Sequence, residues 1–222
     1  MNITAFIVPL TLAIQVAPTN RLVEGSYLRV DYIRSIKQTR SPYKAVGKGG
    51  ILQFDITSDN GSLALATIAN FHDTGGTYRF KSGDTFQRVD SDNPLDSVTV
   101  SPSTGPRFKL IYPKDFIGEF EFVGSMDDFL RSNTIAGEYV DSVGNRYIFR
   151  PNGEATFPTR NFKYTVGCDH FEAPFDFIYG DGFDWAFKFQ GSTLQFFRHT
   201  DEGVHSKPEK KPFLVLKRVN HQ

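Results

Sequence analysis

Residues 135–179, IAGEYVDSVGNRYIFRPNGEATFPTRNFKYTVGCDHFEAPFDFIY, read as a succession of short antiparallel strands joined by tight turns. Tyr147 and Phe149 fall on one face of a strand while Arg146 and Arg150 fall on the other, the two-residue period of a half-buried strand. Pro151-Asn152-Gly153 follows, where Asn and Gly supply the positive φ values of a two-residue hairpin turn. The returning strand then carries Ala155 and Phe157 inward. Pro158 cannot donate to a ladder and closes that strand. Beyond it, Phe162, Tyr164 and Val166 alternate with Asn161, Lys163 and Thr165 in the next one.

The same grammar extends in both directions. Toward the C-terminus, Phe183, Trp185, Phe187 and Phe189 share a face, Gln190-Gly191-Ser192 folds the chain back into Leu194 and Phe196, and Phe213–Val219 supplies a last strand. About eight strands are expected between Gly137 and Val219, a spacing typical of small sandwiches and barrels. Toward the N-terminus, Leu52, Phe54 and Ile56 alternate with Gln53, Asp55 and Thr57, turn at Asp59-Asn60-Gly61, and return over Leu63–Phe71. Shorter strands follow at Val98–Val100, Phe108–Tyr112 and Glu119–Val123. A short helix is expected over Asp31–Thr39, with Ile33 and either Ile36 or Lys37 inward and Pro42 as its stop. A second opens at Ser125, where Asp128 three residues later approximates a capping box. Lys44–Gly50 reads as a flexible linker; its glycines match neither phosphate-binding pattern.

These signals divide the chain into a module over residues 20–124 and another over 125–222. Gly25-Ser26-Tyr27 echoes Gly137-Glu138-Tyr139, and the hairpin with Asn60-Gly61 echoes the one with Asn152-Gly153. Two related β modules and chance matching of common turn residues both explain so short an echo.

The 222 residues hold 25 lysines and arginines against 25 aspartates and glutamates, so no global field draws the protein to nucleic acid or to an anionic membrane. Phenylalanine occurs 22 times and tryptophan once, which points to an interior filled by large rings. Ile3–Ala17 has the length of a signal-peptide hydrophobic region and is too short and interrupted for a membrane span, so residues 1–17 are expected to be a cleaved leader, with a buried first strand as the alternative. Cleavage would put the protein in the periplasm or outside the cell. The single cysteine, Cys168, forms no intramolecular disulfide and leaves the compartment open.

The order Gly137-Glu138-Tyr139, DSVGNRYIF over 141–149, then a Pro-Asn-Gly turn and a strand resembles the opening of small bacterial lipocalin-like modules, over residues 135–219. A tyrosine, Tyr139, stands where true lipocalins carry a tryptophan. The resemblance implies a calycin-type barrel with ligand binding as the family habit. The fold class expected is therefore all-β and antiparallel: two consecutive lipocalin-like barrels or half-barrels with one or two short helices.

Chemistry is poorly marked. Neither a GxSxG elbow nor CxxC or HExxH spacing occurs, and no cofactor is implied. His72-Asp73 and the run Cys168–Glu172 are the densest sets of candidate metal ligands, giving His72, Asp73, His170 and Glu172 as the residues to follow. Asp181 and Asp184 flank a glycine turn beside Trp185 and are read as solvating that hairpin. Three functions are ranked in order. The first is an exported barrel that binds a small apolar or amphipathic ligand through Tyr139, Tyr147, Phe149, Tyr164 and Trp185. The second is a structural or protein-interaction module of the cell envelope with a solid aromatic core. The third is a metal-dependent hydrolase, so catalysis ranks last.

Overall fold

A computed structural model describes residues 21–47, 50–59, 61–69, 71, 73–93, 95–112, 115–169, 174–199 and 207–219. The first barrel is an antiparallel meander of eight strands: β1 (Gly25–Arg29), β2 (Ile51–Asp59), β3 (Ser62–Ala69), β4 (Asp73–Ser82), β5 (Thr85–Arg88), β6 (Ser97–Pro102), β7 (Arg107–Ile111) and β8 (Phe116–Gly124). It closes because β1 pairs with both neighbours, Tyr27 facing Phe54 of β2 and Phe122 of β8. Full closure leaves no unpaired edge. Tyr27, Phe54, Ile56, Leu65, Tyr78, Phe86, Phe108 and Phe120 fill its interior, each almost wholly removed from solvent.

Between β1 and β2 the chain inserts two helices, α1 (Val30–Thr39) and α2 (Pro42–Val46). Arg29 offers α1 no side-chain cap, but Asp31 in the first turn accepts the Tyr32 N–H at 2.8 Å. α1 ends at Thr39, ahead of Pro42 as expected, but Lys44–Val46, expected to be linker, continue a second helix. Pro42 occupies the first position of α2, where its missing N–H has no helical partner to lose, and the Ser41 hydroxyl accepts the Lys44 N–H at 3.1 Å.

α3 (Met126–Asn133) starts at Ser125, whose hydroxyl accepts the Asp128 N–H at 3.3 Å, and leads into the second sheet. Its nine strands are β9 (Gly137–Val140), β10 (Arg146–Phe149), β11 (Glu154–Thr156), β12 (Asn161–Lys163), β13 (Thr165–Val166), β14 (Asp176–Gly180), β15 (Phe183–Gln190), β16 (Thr193–Phe197) and β17 (Leu214–Arg218). They pair in the order β12-β11-β10-β9-β17-β16-β15-β14-β13. The two edge strands are consecutive in sequence, so the sheet curls round and the chain crosses its own seam at Tyr164. The single strand expected over Asn161–Val166 is thus two half-strands serving opposite edges. Gly180 stands at this seam; a Cβ there would lie 2.3 Å from the Lys163 carbonyl oxygen, closer than real contacts allow.

The β10–β11 turn also differs from expectation. Arg150 N–H bonds to the Glu154 carbonyl at 2.8 Å and Gly153 N–H to the Arg150 carbonyl at 3.0 Å, enclosing three loop residues rather than two. Pro151 fixes the φ of a type I turn and only Gly153, at φ +84°, is left-handed. The Asn152 carboxamide instead accepts the Glu154 N–H.

Both barrels open with the same local device. Gly25 and Gly137 have φ of +131° and +151°, and the tyrosine two residues later turns its hydroxyl back on the carbonyl four residues before it: Tyr27 to Val23 at 3.1 Å, Tyr139 to Ile135 at 2.8 Å. The two modules are also in contact. Leu28, Tyr32, Ile33, Ile36, Ala45 and Leu52 belong to the same buried cluster as the interior of the second sheet, so the helical insertion of the first barrel forms the floor of the second.

Candidate functional site

The five residues expected to line a binding site do come together, inside the second sheet. Tyr139, Tyr147, Phe149 and Tyr164 are buried and Trp185 is half-buried. Their surfaces are used on one another and on neighbouring rings. Phe149 meets Tyr139, Phe157, Tyr164 and Phe196 at centroid distances of 5.9, 5.6, 5.4 and 5.7 Å. The three phenols are satisfied within the protein: Tyr139 donates to Ile135, Tyr164 to the Arg150 carbonyl at 2.8 Å, and Tyr147 to the Asp141 carboxylate at 3.1 Å. A ring cluster with its polar tips already bonded is core, and it leaves Trp185 as the one of the five with surface to offer.

Trp185 belongs to a second group of rings, at the end of the sheet away from the helical floor. β15 runs from Phe183 at that end to Phe189 at the other, where the Arg40 guanidinium behind α1 stacks 4.8 Å from the Phe189 centroid. At about 3.3 Å per residue the two ends are about 20 Å apart. The open end gathers Phe157, Phe162, Phe183, Trp185 and Phe213: Phe183–Trp185 are 4.5 Å apart, Phe162–Phe183 4.9 Å, Phe157–Phe162 4.8 Å and Trp185–Phe213 5.2 Å. All five are partly exposed, Phe213 to 39%.

Two guanidinium groups cover this mouth. Arg160, exposed in the turn that joins β11 to β12, lies 5.0 Å from the Phe162 centroid, 5.5 Å from Trp185 and 5.9 Å from Phe183. Arg198 lies 5.7 Å from Phe213. Each ring face carries the negative part of its quadrupole, so three converging faces make a receptor for positive charge; at exposed sites such a contact is worth about 0.5–1 kcal/mol. Beside the mouth, an open groove of about 680 Å3 is lined by Arg150, Glu154, Ala155, Thr156, Asn161, Phe162, Lys163 and Asp181. Its two carboxylates balance its two cations, so the groove adds polarity without a net sign.

Asp181 therefore joins the site as part of this groove, whereas Asp184 points to the other face and lies 3.3 Å from His199. Sequence reasoning missed Phe157, Phe162, Phe183, Phe213 and Arg160 as site residues. The available signal was position: an inward-facing ring at the first or last residue of a strand sits at a barrel rim, half in water, and Arg160 lies in a turn with such rings on both sides.

At the floor, three polar groups meet between the modules. Asp176 of β14 accepts the Tyr43 N–H of α2 at 2.8 Å, and burial, only partly offset by its bonds to Ser41 and Tyr43, raises its carboxyl to about 6. The Tyr32 hydroxyl is fully buried without a hydrogen-bond partner among the described residues, and burial followed by the nearby Cys168 and Asp176 raises it well above the phenol range. Burial likewise pushes the Cys168 thiol up to about 12, which favours the protonated thiol at neutral pH. Of the candidate metal ligands, His72, His170 and Glu172 lie outside the described residues; Asp73 opens β4, its side chain undescribed. Among the described residues no cluster of three histidine, cysteine, aspartate or glutamate side chains could hold a metal ion, and no described helix is long and apolar enough to cross a membrane.

Comparison with protein-family models, with curated proteins and with solved structures finds no match to this chain.

Proposed function

We propose that the protein is a non-catalytic binding protein that receives a small apolar or amphipathic ligand at the aromatic mouth of its second barrel. One observation carries this reading: five partly exposed rings converge at one end of a sheet whose interior is otherwise occupied by its own side chains. Large rings left half in water by a soluble fold have a cost in solvation, and a ligand that covers them recovers it. The barrel meander and the Gly-x-Tyr opening support the resemblance to lipocalin-like modules, with the difference that the ligand site argued for here is the rim and not the lumen. The apolar segment Ile3–Ala17 supports export to the periplasm or beyond; sequencing the N-terminus of the form that cells produce tests that part.

Trp185 is the only tryptophan, so its emission reports the site directly. Titration with the neutral apolar probe N-phenyl-1-naphthylamine is expected to quench Trp185 and to brighten the probe, and native mass spectrometry to show a ligand-sized adduct. If the probe binds as well to Trp185→Ala as to the wild type, or does not bind at all, the mouth is not the site. The packed interior favours a second reading, a structural or protein-interaction module of the cell envelope, for which neither probe binding nor an adduct is expected.

A further inference from the structure

Arg160 marks the chemistry of the missing ligand. We infer that the mouth is selective for an organic cation, a trimethylammonium group or a cation of similar size, and that Arg160 is an internal stand-in which the ligand displaces. This rests on the reading of the mouth as a binding site and adds to it the class of ligand.

Three ring faces, from Phe162, Trp185 and Phe183, converge on one point within 6 Å, and the chain has put a positive charge there. Any group that takes this point meets the same three negative π faces, which attract a cation and repel an anion. A bulky, weakly hydrated ammonium suits such faces better than a guanidinium that keeps much of its water, since stacking strengthens as the cation is desolvated. Arg160 is also easy to move. It is exposed, it sits in the four-residue turn closed by the Phe157 N–H to the Arg160 carbonyl at 2.8 Å, and its side chain can leave without disturbing that bond. The groove that begins at Phe162 offers both signs, Glu154 and Asp181 against Arg150 and Lys163, so it accommodates the remainder of a zwitterionic or neutral amphipath without dictating the charge of the head. Selection for charge therefore comes from the rings.

Choline and its uncharged isostere 3,3-dimethylbutan-1-ol differ in one atom and one charge, and N-phenyl-1-naphthylamine tests apolar binding independently. Each is titrated against the full chain and its Arg160→Ala variant, with Trp185 emission and calorimetry as readouts. The expected result is that choline binds at least roughly 10-fold more tightly than the isostere, and that Arg160→Ala tightens choline roughly 3- to 10-fold. Equal or tighter binding of the isostere overturns the inference and leaves the mouth as an apolar site. No binding of either, or a choline affinity untouched by Arg160→Ala, also overturns it; the naphthylamine signal then decides separately whether the mouth binds anything. Where choline binds, sedimentation with phosphatidylcholine vesicles distinguishes the source of the head group: retention on the vesicles assigns a lipid in a bilayer, and its absence assigns a free small molecule.

Discussion

Asp176 gives the sharpest stability test. Its carboxyl lies between α2 and β14, 7% exposed, and its folded-state value of about 6 stands about two units above the 3.8 of a free aspartate. A raised value means that the folded state holds the proton more tightly than the unfolded one. The stabilisation from that proton is complete below about pH 4 and is lost as pH rises through about 6, a swing of about 3 kcal/mol at 1.36 kcal/mol per unit. Asp176→Asn keeps an oxygen for the Tyr43 N–H and removes the charge that forms at neutral pH. Because the new amide must find partners of its own, the expected net gain at pH 8 is about 1–2 kcal/mol. For a chain of this length that raises Tm by about 2–8 °C. At pH 4 the variant is expected to match the wild type or fall slightly below it. The measurement is thermal unfolding of both proteins from pH 4 to 8, read as the difference between them so that other titrating groups cancel. A variant less stable than the wild type at pH 8, or a difference that does not change with pH, would show that the carboxylate is a stabilising acceptor and that burial is not the dominant influence.

Phe149→Ala, at the meeting point of four rings, is expected to cost about 3–5 kcal/mol in urea unfolding; a loss under about 1 kcal/mol would mean that the cluster is not packed. Tyr27→Phe and Tyr139→Phe remove the same hydrogen bond from the two barrels and are each expected to cost about 1 kcal/mol, the first leaving the Val23 N–H without its 2.8 Å partner as well. A large inequality between them would argue against the two openings being equivalent. Cys168 in the native protein is expected to react with a disulfide reagent at pH 8 at least roughly 100-fold more slowly than in urea, because burial holds the thiolate fraction down. Comparable rates would place the thiol in solvent.

Much of this architecture was legible because its code is local. The alternation of Phe183, Trp185, Phe187 and Phe189 names the inner face of β15 without reference to any other strand, and the structure puts all four in or against the core. Ser125 and Asp128 likewise name a helix start. The misreadings have two sources, local turn and cap chemistry that was passed over and outcomes that depend on distant residues. The start of α2 was local, Ser41 capping it and Pro42 taking its first position, with Asp176, distant in sequence, adding a partner for the Tyr43 N–H. Asn161–Val166 alternates like one strand, yet Tyr164 is where the curled sheet meets itself, and only the full strand order reveals a seam. The candidate site failed in the same way. Periodicity identifies inward rings but not how far along the barrel axis each one lies, so Tyr139, Phe149 and Tyr164, which are sealed, carried the same signal as Phe162 and Phe183, which are at the rim.

The two barrels begin alike and are finished differently, and the difference bears on where a ligand can sit. In the first, the last strand sets Phe122 beside Tyr27 at 5.2 Å and the ladder closes completely. In the second, Arg218 takes the corresponding place, its guanidinium 6.0 Å from Tyr139 and donating to the Ala136 carbonyl at 3.0 Å, while the ladder stays open at a seam. The helical insertion that follows β1 has no equivalent after β9, where the chain turns directly into β10, and it is spent on sealing the floor of the second barrel. One end of that barrel is thereby fixed by a neighbour. Among the described residues its mouth carries the Phe157–Arg160 turn and two stacked arginines, Arg160 and Arg198, so binding at this end requires moving exposed side chains, whereas binding at the floor would require separating the modules.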